Sequence, residues 1–405
     1  MDDSTAQRTQ VQSLNGTLAT WAVAAMVAAM FMGTTLVTPL YVLYRREFGF
    51  SELTLTLIYA VYVVGNLGAL LFFGRLSDQI GRRRATLPAI GIGVISTILF
   101  LAATNTTWLF LARMLSGLGI GIASGTGTAW LVELYSGRDK SRATLMASAA
   151  NMAGLSIGAL LAGLLAQYAA WPLRLVYVIY LALLIGMALV IRQTQETVEQ
   201  RAPGLRQIEM RPRLGIPAGI RAQFIAPAAT AFGTFALLGF YAALAPSVLA
   251  QDLHETNRAV GGAVVGELCI VATAALILTR SLKSRTAMLS GLALLLPALL
   301  LLVWARVEAS MSVLLIGTAL SGVATALGYR GSLQVVNEIA PADRRAEVIS
   351  SYLLCCYAGN SLPVIGVGVL SSFSTPVTAS SVFAATIAVF AIVALFTGAK
   401  YARGA

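Results

Sequence analysis

Among the charged residues that lie within long apolar stretches, Arg113, Glu267 and Arg330 are the candidates for binding or proton transfer. Arg113 lies in the segment 107–134, Glu267 in 258–280 and Arg330 in 309–335. A charge inside such a segment costs roughly 2.5–3.5 kcal/mol on membrane-insertion scales, so it should face a partner or a cavity. A carboxylate there can load and release a proton, and an arginine can bind an anionic group. Alternatively, Glu267 and Arg330 form a structural pair, and Arg113 extends to the nearby membrane surface.

Uncharged side chains in other apolar stretches are candidates to bind a substrate together with Arg330. Aromatic and amide groups in an apolar cavity suit an amphipathic ligand, although an aromatic residue can equally serve packing or an interfacial belt. The candidates are Tyr62, Asn66, Trp130, Asn151, Tyr241, Tyr357 and Asn360. The single histidine, His254, and three scattered cysteines do not form a ligand set, so we predict neither a metal nor a cofactor.

Membrane-spanning helices are the elements that can position these residues. The 405 residues are 58% hydrophobic and 11% charged, with a mean hydropathy of +0.80. A helix needs roughly 20 apolar residues to cross a bilayer, and lipid-exposed spans must satisfy their backbone internally. We therefore predict an all-α membrane protein. Its twelve transmembrane helices are predicted at about 18–44, 52–74, 85–103, 107–134, 142–168, 171–191, 222–248, 258–280, 286–304, 309–335, 346–371 and 377–398.

The chain divides into two similar parts. The polar stretch 193–221, which contains three prolines, is predicted to be a cytoplasmic linker between an N-terminal bundle (1–192) and a C-terminal bundle (222–405). A shift of 205 residues pairs Glu133 with Glu338 and Gly154 with Gly359. This offset also aligns the spans, so we expect two pseudo-symmetric six-helix bundles with a site near the midplane between them.

The net charge of +11 reflects basic residues in short loops. Counted from a cytoplasmic N-terminus, 21 Lys and Arg residues lie on one side and 4 on the other. This asymmetry predicts that both termini are cytoplasmic, and we expect the protein in a bacterial inner membrane. Short basic loops are not a nucleic-acid surface. The expected partners are the lipid bilayer and a small molecule, with the protein as a monomer.

A polar loop joins the second and third spans and reads Gly74-Arg75-Leu76-Ser77-Asp78-Gln79-Ile80-Gly81-Arg82-Arg83-Arg84. Its glycines permit a tight turn and close backbone approach. The neighbouring arginines offer Asp78 ion-pair partners. A loop whose arginines only set topology is the alternative.

The pattern G-x-L-x-D-x-x-G-R-R-R resembles the signature loop between helices 2 and 3 of the major facilitator superfamily. The resemblance implies a secondary transporter in which this loop latches two bundles and releases during alternating access. It also implies that an acidic–basic pair at the fourth and fifth spans completes a charge relay with the loop. The implied gating residues are Gly74, Asp78, Gly81, Arg82, Arg83, Glu133 and Arg142.

Two further motifs resemble parts of this superfamily. Arg113-x-x-x-Gly117-x-x-x-Gly121 is similar to the helix-4 motif of proton-coupled members, which implies that Arg113 takes part in proton coupling; Glu267 is our second candidate. The fifth span resembles the helix-5 motif of the twelve-span drug:proton antiporter branch, G-x-x-x-G-P-x-x-G-G, at Gly154, Gly158 and Gly163. Ala159 and Ala162 depart from it, so packing alone is the alternative.

These features together predict proton-coupled efflux of small amphipathic or weakly anionic organic compounds. Because Ala159 replaces the motif proline, proton-coupled import of a sugar, amino acid or organic acid stays open. An enzyme would need clustered His, Asp or Cys residues in the spans, which this sequence lacks. A receptor would usually carry a soluble output domain, and no polar segment here is long enough to form one.

Overall fold

A computed structural model describes Leu14 and residues 16–135, 140–199 and 214–402. Fourteen α-helices follow one another in this part of the chain, preceded at α9 by a short 3-10 turn, Ala218–Ile220. They are α1 Gly16–Thr35, α2 Tyr41–Phe48, α3 Glu52–Phe73, α4 Leu76–Ile80, α5 Arg82–Leu101, α6 Thr106–Leu134, α7 Lys140–Tyr168, α8 Pro172–Gln193, α9 Arg221–Gln251, α10 Arg258–Leu278, α11 Ser284–Val307, α12 Met311–Ile339, α13 Arg345–Leu370 and α14 Pro376–Ala402.

Twelve of the described helices are long and apolar enough to cross a membrane, which confirms the predicted all-α membrane fold. The two short helices, α2 and α4, are the exceptions. The described segments form no named strand and contain one isolated parallel bridge, between Leu14 and Thr194.

The first predicted span, 18–44, was wrong at its end. Helix α1 stops at Thr35, a turn follows, and α2 begins at Tyr41. The apolar run continues through Pro39, but proline has no N–H to donate to the carbonyl of Thr35, so the α-helical ladder cannot continue there. The loop 74–84 also differs from the expected simple turn, because one short helix, α4, lies within it.

The helix ends gather at two ends of the molecule. We call one the basic end; its described residues are 74–84, 135, 140–142, 192–199, 214–221, 278–285 and 339–345. The opposite end comprises residues 36–51, 102–105, 169–171, 252–257, 308–310 and 371–375. Helices α1–α8 form the first half and α9–α14 the second, and the halves meet chiefly where α7 packs on α10 and α3 on α13.

Glycines set the spacing of α3 and α6. A Cβ on Gly117 would collide with the carbonyl oxygen of Tyr62, and one on Gly65 would collide with that of Met114. Without these side chains the two backbones approach closely, as small residues allow in membrane helices. This contact brings Arg113 on α6 against the aromatic face of α3.

Candidate functional site

A buried arginine organises the charges at the basic end. Arg82 is only 6% exposed. Its Nε and Nη2 donate to Oε2 and Oε1 of Glu133 at 3.1 and 2.6 Å, a bidentate pair. Its Nη1 lies 2.5 Å from Oδ1 of Asp78 and donates to Oγ of Ser77 at 2.7 Å. Three predicted gating residues, Asp78, Arg82 and Glu133, therefore lie in one charge-assisted network.

The two loop glycines differ in what they contribute. Gly81 has φ 109°, in the left-handed region, where only glycine is free of strain, and its N–H donates to the carbonyl of Ser77. Gly74 has ordinary helical dihedrals. A Cβ on Gly74 would lie 2.5 Å from the carbonyl oxygen of Leu70, so close approach, rather than a special dihedral, favours glycine there.

The start of the linker belongs to this network, which sequence reasoning missed. Oε1 of Glu196 accepts from the backbone N–H of Arg82 at 2.8 Å, and Oε2 accepts from that of Arg83 at 3.2 Å. These N–H groups belong to the first residues of α5 and have no partner within the helix. The carboxylate accepts their hydrogen bonds and interacts favourably with the positive end of the helix dipole. The Oγ1 of Thr197 donates to Oε2 of Glu133. In the sequence, this contact could have been suspected from the Glu196-Thr197 pair, which closely follows a span on the same side of the membrane as the basic loop.

Trp130 holds the same linker segment. Its Nε1 donates to the carbonyl of Gln195 at 3.1 Å, and the ring is fully buried. The structure therefore gives Trp130 a linker contact at the basic end; substrate contact stays a prediction. Arg83 also reaches this region, because its Nη1 donates to the carbonyl of Arg192 at 3.1 Å. Arg142 has an exposed side chain near the start of α7, and its expected pairing with Glu133 stays a prediction.

Arg113 lies inside the first half with 0% exposure, so it does not extend to the membrane surface. Its Nη1 donates to the carbonyl of Thr34 at 3.0 Å. The guanidinium carbon lies 4.9 Å from the ring centre of Tyr62 and 5.6 Å from that of Tyr59, in cation–π geometry. Nε and Nη2 are buried without a hydrogen-bond partner. A buried charge with unused donors is costly unless a ligand or carboxylate engages it.

Predicted binding residues surround this arginine. Nδ2 of Asn66 donates to the hydroxyl of Tyr62 at 3.2 Å, while its Oδ1 is buried without a partner. The hydroxyl of Tyr59 donates to Oδ1 of Asn360 at 3.1 Å, a bond from the first half to the second. Tyr357 lies three residues earlier on α13. The structure thus brings Tyr62, Asn66 and Asn360 together with Arg113.

Other unsatisfied polar groups lie on α7, α9 and α10. Oε2 of Glu267 is buried without a partner although the side chain as a whole is half-buried. The hydroxyl of Tyr241 and Oδ1 of Asn151 are also buried without partners.

Arg330 does not pair with Glu267, so the alternative of a structural pair was wrong. Its Nη1 donates to the carbonyl of Thr279 at 2.5 Å and its Nη2 to that of Leu282 at 3.0 Å. Thr279 directly follows the last residue of α10, at the helix end that attracts a cation, and Leu282 lies in the connection to α11. Arg330 therefore caps α10 at the basic end, and its predicted contact with substrate stays untested.

The three motif glycines of α7 contact two different helices. A Cβ on Gly154 or Gly158 would collide with the carbonyls of Ala28 or Met32 on α1. A Cβ on Gly163 would lie 2.9 Å from Cα of Gly262 on α10, in the other half. All three positions serve close helix packing; a role in the direction of transport stays a prediction.

A second ion pair with a buried arginine, Arg306, lies at the opposite end. Arg306 donates through Nε and Nη2 to Oδ2 of Asp252 at 2.7 and 2.6 Å, and through Nη1 to Oγ of Ser380. The pair joins α9, α11 and α14 within the second half. In the sequence, the pair could have been suspected because Asp252 and Arg306 have opposite charges and lie at the same end of two spans.

A bundle in which twelve of the described helices are long and apolar enough to cross a membrane is the architecture of a multi-pass membrane protein. The family model of the Major Facilitator Superfamily matches residues 23–280. The chain belongs to the Major Facilitator Superfamily and is a transporter rather than an enzyme.

Relatives with assigned names match part of the chain. The chloramphenicol resistance protein CraA of Acinetobacter baumannii is 27% identical over 157 residues, 38% of this chain and 38% of CraA. The cephamycin export protein CmcT of Amycolatopsis lactamdurans is 27% identical over 128 residues, 31% of this chain and 26% of CmcT. The matched segments thus span well under half of either relative.

Solved structures share the whole fold. A bacterial homologue of the human lysosomal transporter Spinster, inward-facing and occupied, superposes with a TM-score of 0.73 at 17% identity, over 95% of this chain and 96% of that chain. The nucleoside transporter NupG gives 0.71 at 13% identity, over 94% and 99%. At these identities the likeness establishes the fold alone.

Proposed function

We propose that this protein exports small amphipathic or weakly anionic organic compounds in exchange for protons, by alternating access. The observation that carries the proposal is Arg113, a fully buried cation with two unused donor nitrogens beside Tyr59 and Tyr62. An anionic or strongly polar group on a substrate satisfies those donors, and the aromatic rings suit an apolar body.

Glu267 supplies the proton step of the proposal. Its Oε2 is buried without a partner, so protonation and deprotonation do not have to break an existing ion pair. Arg113 belongs to the first half and Glu267 to the second. A ligand held between the halves then interacts electrostatically with both charges. A proton on Glu267 competes with any cationic or hydrogen-bond-donating group of the substrate for the carboxylate.

The basic-end network is the proposed gate. The Arg82 guanidinium engages Asp78 and Glu133, and Glu196 holds the start of α5. Movement of α5 or the linker has to break several charge-assisted bonds together. We further propose that this end and both termini face the cytoplasm in a bacterial inner membrane, in agreement with the positive-inside rule, and that the protein acts as a monomer.

Names of relatives support the outward direction. CraA is named for chloramphenicol resistance and CmcT for cephamycin export. Import is the second candidate, favoured by one observation: α7 carries no proline and continues unbroken through Ala159. The helix therefore lacks the proline-bearing form of the antiporter motif.

Proteoliposomes with an imposed pH gradient and an internal pH dye test the proposal. A panel of antibiotics, organic acids, sugars and amino acids is added in turn. Proton movement opposite to a compound, abolished in Arg113→Gln and Glu267→Gln, supports antiport and identifies the substrate class. Proton movement in the same direction as a sugar, amino acid or organic acid establishes import instead. Uptake of a compound without proton movement would show that Arg113 and Glu267 do not couple transport to protons.

A further inference from the structure

At the opposite end, α7 of the first half and α10 of the second exchange terminal hydrogen bonds. Oε1 of Gln167, the next-to-last residue of α7, accepts from the backbone N–H of Arg258 at 3.0 Å. In return, Nη1 of Arg258, the first residue of α10, donates to the carbonyl of Ala166 at 3.0 Å. Each helix end therefore receives a side chain from the other half.

Both bonds satisfy groups that a helix cannot satisfy by itself. The first N–H groups of α10 and the last carbonyls of α7 have no intrahelical partner. Arginine is also the wrong charge for the N-terminus of its own helix, but the right charge for the C-terminus of α7. The sequence of α10 alone does not explain Arg258; the neighbouring helix end does.

This exchange requires close contact of the two helices. A Cβ on Gly163 would lie 3.0 Å from the carbonyl oxygen of Arg258, and one on Gly262 would collide with the carbonyl of Ala159. The hydroxyl of Ser156 further donates to the carbonyl of Gly266 at 3.2 Å. If the halves separate at the opposite end, both reciprocal bonds are lost together.

We propose that Arg258 and Gln167 form a reciprocal cap that holds the opposite end closed and must break for that end to open. The two are positioning residues: they set the balance between conformations without touching the substrate. The inference rests on alternating access in the proposed function, and on neither its direction, its coupling ion nor its substrate.

Spin-label distance measurement in lipid nanodiscs, without substrate, tests this. The three native cysteines are replaced, and labels are placed at Thr107→Cys on α6 and Ser312→Cys on α12, exposed positions at the opposite end of each half. Arg258→Met and Gln167→Met remove the donor and the acceptor with little change of length. Arg258→Lys keeps a cation that can reach the carbonyl. Asn257→Ala is the matched control, because Asn257 caps the same end of α10 through Ala259, at 2.9 Å, within one half.

Each methionine variant should raise the ratio of the long-distance to the short-distance population about two- to tenfold, the effect of losing one net hydrogen bond. Compared with Arg258→Met, Arg258→Lys should restore most of the short-distance population. Asn257→Ala should leave the ratio as it is in the unsubstituted protein. Equal shifts in Asn257→Ala and Arg258→Met, or no shift in either methionine variant, overturn the inference. Because no substrate is present, failure of the efflux proposal does not affect this result.

Discussion

At the scale of single residues, three charged side chains in the described part of the chain have a buried atom without a hydrogen-bond partner: Arg113, Glu267 and, through its Nε, Arg330. Arg113 uses one of its three nitrogens, and Glu267 leaves Oε2 unbonded. Arg82 and Arg306, by contrast, are buried in complete ion pairs. Unsatisfied buried charges are expensive and are kept where a ligand or proton completes them. The contrast separates residues that fit a transport role from those that hold the structure.

Replacing Glu267 with Gln should uncouple transport from protons. Glutamine resembles the protonated acid in shape but cannot release a proton. We expect pH-gradient-driven accumulation to fall at least tenfold, while substrate-for-substrate exchange across the same liposomes continues. Equal loss of both activities would assign Glu267 to folding or binding rather than to coupling.

For Arg113, the geometry of the donors should matter as much as the charge. Arg113→Lys keeps the cation but loses the planar donor set, so we expect substrate affinity to fall about tenfold or more, the loss of one or more charge-assisted hydrogen bonds. Direct binding by calorimetry measures this. Arg82→Lys is a useful comparison, since it alters a buried arginine of the basic-end network; similar losses of affinity in both variants would argue against substrate contact at Arg113.

At the scale of helices, the sequence predicted spans well and their partners poorly. Length and hydropathy located twelve helices, because a bilayer imposes both. Hydropathy did not reveal the break near Pro39, because the apolar run of the first span continues through it. Trp130 and Arg330 were expected to bind substrate because of their types, yet each is held by a backbone carbonyl of a segment distant in sequence. Local patterns do not encode such contacts.

Glu196 offers the clearest test at this scale. Removing its charge weakens the cap on α5 and the contact between linker and gate, so Glu196→Gln should slow turnover several-fold and lower the stability by roughly 0.5–2 kcal/mol, as for other helix caps. Turnover in liposomes and thermal melting in detergent measure the two effects. Glu199→Gln, an exposed change in the same segment, is the control; matching effects there would mean that net linker charge, rather than capping, matters.

At the scale of the whole molecule, hydrogen bonds between described residues connect the two halves. Several hydrogen bonds join the halves from mid-helix to the opposite end, among them Tyr59 to Asn360 and Arg258 to Ala166. The gate charges at the basic end bond within the first half and to the linker. The internal offset of 205 residues predicted two halves, but it did not predict at which end they would be joined.

The orientation of these two ends in the membrane is open to a direct test. The excess of basic residues predicts that the basic end faces the cytoplasm. In a cysteine-free background, Thr256→Cys at the opposite end should react with a membrane-impermeant maleimide in intact cells. Gln193→Cys at the basic end should react only after permeabilisation. Both side chains are exposed, so accessibility within the protein does not limit either reaction. The reverse labelling pattern would invert the topology, and with it the side on which the reciprocal cap of α7 and α10 closes the transporter.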